Sequence, residues 1–246
     1  MSSPSQRTVL VTGGAVGIGL SLAGHFAGEG AEVVITGRRR APLEAAAQRT
    51  GARAVVCDHT DPAALDALLP HLPERLDVLV NNAGGQTDFA HSPRPDEDEL
   101  TAYARKFRAN LDANLLTAAL TTHAVEDRLA DGGTVVQIGS IAADKGSGAY
   151  GAAKAGLASW NIDLARRLGP RRITANVVSP GYIEDTDFFG DHLTAERRAE
   201  LVAATFVGRP GTPADITGTV AFLASPAGRH ITGQVLNVNG GEYVTR

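Results

Sequence analysis

Apolar residues in this chain fall into short, nearly continuous runs rich in Val, Ile and Leu, separated by longer Ala-rich stretches with helical spacing. The runs are TVLVT (8–12), EVVIT (32–36), RAVVC (53–57), DVLVN (77–81), GTVVQIGS (133–140), TANVVS (174–179) and QVLNVN (234–239). A strand with one face in water alternates apolar and polar residues. These runs do not, so they predict strands covered on both faces. Strands of that kind separated by helices form right-handed β-α-β units, predicting an α/β fold with a doubly wound, seven-stranded parallel sheet. At 246 residues the whole chain, 1–246, reads as one Rossmann-type domain. Two stretches break the rhythm. Residues 84–100 carry two prolines and a cluster of acids, predicting a surface loop that enters a helix near Asp96. Residues 181–213 mix aromatics with charges, and 184–207 within them are expected to form a substrate loop, with a plain surface insertion as the alternative.

The first strand runs directly into TGGAVGIG (12–19), and helical residues follow. A glycine turn between strand and helix lets backbone approach a pyrophosphate closely, and the helix N-terminus offers unpaired N–H groups and a positive dipole. No GK[ST] follows, so the turn is read as a dinucleotide site rather than a phosphate-transferring loop. Its contacts would be Gly13, Val16, Gly17, Ile18 and Gly19. Further on, GSGAYGAAK (146–154) sets one phenol among small residues. On a helix, Tyr150 and Lys154 share one face. Alone, that pair fits a reactive couple or a tightly packed helix with a core tyrosine and a snorkelling lysine.

Taken together, TGGAVGIG, NNAG (81–84), GS (139–140), YGAAK (150–154) and SPG (179–181) occur in the order found in the short-chain dehydrogenase/reductase family, which this chain strongly resembles over nearly its full length. The resemblance implies an oxidoreductase that interconverts a ketone and a secondary alcohol using a nicotinamide cofactor. It implies catalytic roles for Ser140, Tyr150 and Lys154, and for an asparagine in the helix before the fifth strand. Asn114 fits the family's Asn-Leu pattern, with Asn110 one turn earlier as the alternative. Tyr150 would serve as acid/base, Ser140 would hold the substrate oxygen, Lys154 would bind the nicotinamide ribose, and Asn114 would position a water. A free phenol titrates near pH 10, and a nearby ammonium favours phenolate, so Lys154 is the partner Tyr150 is expected to need. Asn82, Ala83, Gly84, Pro180, Gly181, Ile183 and Thr186 would line the cofactor, and Asp58 would meet its adenine or cap the following helix.

Cofactor choice turns on the end of the second strand, where an acid would select NAD. Here Gly37 is followed by Arg38, Arg39 and Arg40, and Arg38 is suited to a 2′-phosphate. NADP(H) is therefore expected, with NAD(H) the alternative. Ser140 and Tyr150 are only ten positions apart, closer than is usual in the family. That short loop should open one pocket wall, which the 85–100 segment could refill. Ser147 is expected to cap the helix of Tyr150.

Composition narrows the remaining choices. A formal net charge of -4 provides no basic footprint for nucleic acid or anionic membrane. The single cysteine, Cys57, excludes an internal disulfide and reads as buried packing. No signal-peptide or membrane-spanning pattern is present, which predicts a cytoplasmic protein. The histidines show no metal-binding pairing, and no GxSxG is present for a serine hydrolase. A small-molecule carbonyl or alcohol is the expected partner. Reduction of a 3-oxoacyl group on an acyl carrier protein is the alternative, and a non-catalytic NADP-binding regulator is a reading of another class. Resemblance also implies a homotetramer.

Overall fold

All seven runs form strands: β1 (Thr8–Thr12), β2 (Glu32–Gly37), β3 (Arg53–Val56), β4 (Leu76–Asn81), β5 (Leu129–Ile138), β6 (Thr174–Pro180) and β7 (Val235–Val238). The computed structural model describes residues 6–87, 94, 97–188 and 190–245, so the middle of the proline- and acid-rich stretch, Asp96 included, lies outside the described residues. The strands make one sheet in the order β3-β2-β1-β4-β5-β6-β7, with every pairing parallel. Strand order reverses between β1 and β4, so their C-terminal ends open a crevice where this class of sheet binds ligands.

Helices cover both faces. α1 (Gly17–Gly28), α2 (Arg40–Thr50) and α9 (Pro213–Ala224) lie on one side. There Val9, Val11, Ile35, Val80 and Val178 meet Leu22, Phe26, Leu43, Ile216 and Val220. On the other face Leu10, Val34, Leu79 and Val135 meet residues of α3 (Pro62–Leu68), α5 (Thr117–Val125) and α7 (Gly148–Leu168), notably Leu65, Val125 and Leu164. Successive strand residues thus feed opposite layers, which is why the runs are apolar throughout. Cys57 is buried in the second layer.

Helix starts follow local chemistry. Asp61 caps α3 by accepting the Ala63 N–H (2.9 Å), leaving Asp58 free of that task. Asp98 caps α4 (Glu99–Leu111), accepting from Thr101. Thr212 and Asp215 form a reciprocal capping box on α9. Between α4 and α5 the helix widens into a π turn over Asp112–Leu116. α6 (Ala142–Lys145) is a single turn, and α8 (Ala195–Ala203) sits inside the 184–207 segment.

Towards the strand C-termini the second layer becomes polar. His59 is buried between Thr36 and Thr121, each 2.7 Å from a ring nitrogen. Thr121 donates its hydroxyl proton to the Thr117 carbonyl, so towards His59 it accepts, and the imidazole carries its hydrogen on Nδ1. Nε2 then accepts from Thr36. Burial holds this ring neutral, pushing its pKa down from 6.5 to about 4. The neutral folded form contributes stability that is complete above pH 6.5 and is lost as pH falls towards 4, on the order of 3 kcal/mol. Denaturant titrations of wild type and His59→Asn should therefore converge as pH is lowered from 6.5 to 4.5. Parallel stability curves would contradict this.

Candidate active site

The floor of the crevice is a hydrogen-bonded joint between the glycine turn and the NNAG turn. Asn82 Nδ2 donates to the carbonyls of Thr12 and Gly13, both at 3.0 Å. The Thr12 hydroxyl accepts the main-chain N–H groups of Asn82 (3.0 Å) and Ala83 (2.9 Å). Gly13 has φ +66°, and a Cβ there would lie 2.9 Å from Ala83 Cα. On Gly19 a Cβ would lie 2.2 Å from the Gly13 carbonyl oxygen, so helix α1 can pass this close only with glycine. Val16 occupies the N-cap of α1 in extended conformation and gives no side-chain cap. Among the described residues no side chain caps the first N–H groups of α1, an arrangement suited to an anionic group. Ile18 packs against the first core layer.

At the far end of β2, Arg38 is exposed and forms no ion pair or hydrogen bond with another described residue. Its neighbours are committed: Arg39 meets Asp187 at 3.3 Å and Arg40 meets Glu44 at 3.3 Å. Asp58 faces Arg38. Burial raises the Asp58 carboxyl, but hydrogen bonds from Thr60 and the charge of Arg38 outweigh it and leave the group below its ordinary value.

Tyr150 and Lys154 project from the first turns of α7, and both are buried. The Ser140 hydroxyl, just beyond β5, hydrogen-bonds the phenol and accepts the Ala142 N–H at 3.1 Å. Lys154 Nζ donates to the Ile138 carbonyl at 2.8 Å and lies 5.8 Å from the centre of the Tyr150 ring. Burial drives the two groups apart in acidity. It pushes the phenol up to about 12 against the opposing Ser140 hydrogen bond, and brings the ammonium down to about 8. In the protein alone desolvation is the larger influence on the phenol, and the Lys154 ammonium is turned to the Ile138 carbonyl. Among the described residues no group of three or more His, Cys, Asp or Glu could hold a metal.

Asn114 lies in the π turn and is buried. Its Nδ2 donates to the carbonyls of Gly85 (2.9 Å) and Asn110 (3.1 Å), and its Oδ1 accepts the Gly85 N–H (2.9 Å). Asn110 holds the same segment further on, accepting the Thr87 N–H at 3.4 Å. Gly84 is pinned between these groups. A Cβ there would come 2.7 Å from Asn114 Oδ1 and 3.5 Å from Lys154 Nζ. The start of the 85–100 segment is thus fastened beside Lys154, although half of the segment lies outside the described residues. Ser147 stands at the N-cap of α7 but makes no cap bond. Its ψ of 63° departs from the extended conformation a capping hydroxyl requires.

The opposite wall follows β6. Pro180 accepts the Ile141 N–H at 3.0 Å, and Gly181 donates to the Val238 carbonyl at 3.3 Å. Ile183 is buried in the first core layer and bridges to Gly211, while Thr186 donates to its carbonyl at 3.1 Å. The Thr186 methyl packs over Gly17 of the glycine turn. Sequence reasoning missed Phe188, whose ring lies 5.5 Å from that of Tyr150 at 59°. Its only signal in the sequence is membership of an aromatic pair within residues 184–207.

Comparisons with known proteins show the family and the fold. A family model described as enoyl-(acyl carrier protein) reductase matches residues 13–242. An uncharacterized oxidoreductase of Methylorubrum extorquens is 36% identical over 98% of this chain and 99% of its own. The 3-oxoacyl-acyl-carrier-protein reductase FabG of Escherichia coli is 35% identical, covering 97% and 98%. A short-chain dehydrogenase from Burkholderia cenocepacia, solved in complex with NADP, superposes with a TM-score of 0.81 at 33% identity, covering 96% of this chain and 97% of that one. On the family match, the relatives matched along nearly their whole length and the superposition on a solved short-chain dehydrogenase, the chain belongs to the short-chain dehydrogenase/reductase family of oxidoreductases.

Proposed function

We propose that this protein is an NADP(H)-dependent reductase of ketones, running in reverse as a secondary alcohol dehydrogenase, with Tyr150 as the acid/base. The observation that carries the reading is the Ser140–Tyr150 hydrogen bond with Lys154 one helical turn away, just beyond β5 and beside the Gly84 turn after β4 that borders the crevice. A dinucleotide fits that crevice because the cradle at Gly13 and Gly19 admits close approach and α1 presents N–H groups without a side-chain cap. Gly17, Asn82, Ala83, Gly84, Pro180, Gly181, Ile183 and Thr186 would complete its surroundings, with Asp58 towards the adenine. Bound there, the nicotinamide supplies or accepts hydride. The uncommitted Arg38 favours a 2′-phosphate, in keeping with the NADP in the Burkholderia structure.

In reduction, the Ser140 hydroxyl donates to the substrate carbonyl oxygen and the neutral Tyr150 phenol delivers the proton there. In oxidation the same oxygens hold and remove the alcohol proton. Lys154, as ammonium, binds the ribose and favours the phenolate left after transfer. Both amide hydrogens of Asn114 are already spent, so any water it positions would donate to an oxygen of Asn114. Phe188 covers the phenol and limits water there. The chain works as one domain, as a cytoplasmic homotetramer, with 184–207 as its substrate loop.

The FabG relative supports an alternative substrate, a 3-oxoacyl group on an acyl carrier protein. An acidic carrier needs exposed cations. Arg171, a candidate near the end of α7, is already bound to Asp131 at 3.0 Å and to the Glu126 carbonyl at 3.0 Å. Exposed Arg172 beside it is only a small counter-argument against Glu126, Asp127 and Asp131, so a free ketone is favoured. Cofactor oxidation should be followed with NADPH and NADH against free ketones and a 3-oxoacyl carrier thioester. Turnover of free ketones with NADPH preferred is expected, and Arg38→Ala should reduce that preference about tenfold, the loss of one charge-assisted phosphate contact. Silence with every substrate would leave the non-catalytic regulator as the reading.

A further inference from the structure

The carboxylate of Glu242, in the segment after β7, is nearly sealed from solvent, with its side chain 3% exposed. A buried carboxylate is costly unless paired, and this one has two partners on different loops. Oε1 accepts from Lys145 Nζ at 2.7 Å, and Oε2 accepts the main-chain N–H of Tyr182 at 3.3 Å. The approach is close enough that a Cβ on Gly181 would lie 2.8 Å from Oε2.

Lys145 ends α6, inside the short connection that carries Ser140 to Tyr150. After it, Gly146 and Gly148 both take positive φ, at 74° and 56°, so the chain into α7 has little intrinsic stiffness. Tyr182 follows the Pro180–Gly181 wall and begins the path into the substrate loop. Its side chain is bonded by Arg198 of α8, which also grips Glu184 at 2.7 Å. Glu242 therefore stands between the loop that presents the hydroxyl pair and the wall from which the substrate loop hangs. The described hydrogen bond joining those two loops directly is Ile141 N–H to the Pro180 carbonyl.

We infer that Glu242 is a positioning residue, whose carboxylate couples the Ser140–Tyr150 loop to the Gly181–Tyr182 wall and holds the proton donor in register with the nicotinamide. The inference rests on the function proposed above. A misplacement of about 1 Å is enough to cost two orders of magnitude in rate. Glu242→Ala and Lys145→Met should each lower kcat about tenfold while the Kd for NADPH changes less than about threefold, and the double variant should be no slower than either single. Glu242→Gln, which retains an acceptor for Tyr182, should fall between wild type and Glu242→Ala. Rates within about twofold of wild type for Glu242→Ala and Lys145→Met, or losses that multiply in the double variant, would overturn it. Amide hydrogen exchange on the whole protein separates this from the reaction itself. Glu242→Ala, or Glu242→Gln if the alanine variant does not fold, should loosen both 141–148 and 181–188, even if no ketone is ever reduced. Loosening confined to 240–245 would refute the coupling.

Discussion

Tyr150→Phe should lose turnover by roughly a thousandfold or more while still binding NADPH about as well as wild type, the scale expected when a positioned proton donor is removed. The substitution deletes one oxygen and keeps the ring, so the packing against Phe188 and the course of α7 are retained. It removes the hydrogen bond to Ser140, yet Ser140 still accepts the Ala142 N–H. The stability change should therefore stay near 1 kcal/mol, the net value of a single hydrogen bond. With the phenol pushed up to about 12 by burial, Tyr150 is protonated throughout the neutral range and available as a donor before any substrate arrives. Its difficulty comes once the proton has gone, because the phenolate left behind is costly in the same buried place. Stopped-flow hydride transfer and cofactor fluorescence, measured together, separate the effects. A variant that keeps a tenth of the wild-type rate would exclude Tyr150 as the proton donor, and weak cofactor binding alone would recast it as a binding residue.

Much of this arrangement is readable in the sequence because parallel strands buried on both faces carry an unusually plain signal. β1 matches its run at both ends, and the others agree within a few residues. β5 is the exception. It begins at Leu129, which pairs with Leu76, and the ladder then shifts register between Leu76 and Val78. Asp131, Gly132 and Gly133 interrupt its apolar pattern, so the early pairing depends on a neighbouring strand and not on local propensity. The glycine turn was readable for the same physical reason that it is needed, since only residues without Cβ fit beside Ala83 and the Gly13 carbonyl. The π turn was not. Its residues have ordinary helical propensity, and the widening goes with the clamp of Asn114 on Gly85, a contact between distant segments. Ser147 misled because its residue type favours capping while its backbone conformation does not. Glu242 carried no signal at all, as its partners are brought to it only by the fold.

Lys154→Met should combine loss of turnover with a gain in stability, and the two effects share one cause. The ammonium is buried and makes a single described hydrogen bond, to Ile138, and burial lowers its pKa from 10.5 to about 8. A lysine depressed in this way costs the folded state its full penalty below pH 8, and the penalty fades as pH rises to 10.5, where the unfolded chain also loses its proton. The shift corresponds to about 3 kcal/mol at neutral pH. Methionine keeps much of the stem volume and removes the charge, but it leaves the Ile138 carbonyl without this donor, which returns about 1 kcal/mol. The protein without cofactor should therefore gain about 1–2 kcal/mol below pH 8, and the variant's advantage should shrink steadily between pH 8 and 10.5. Turnover should fall about a thousandfold, because nothing then offsets the phenolate in its buried site. Chemical denaturation across pH provides the decisive measurement, since a packing change alone would shift stability by the same amount at every pH. A pH-independent difference, or a less stable variant at pH 7, would show that Lys154 is not held at a cost. Retained turnover would show that the cost serves some purpose other than the reaction at Tyr150.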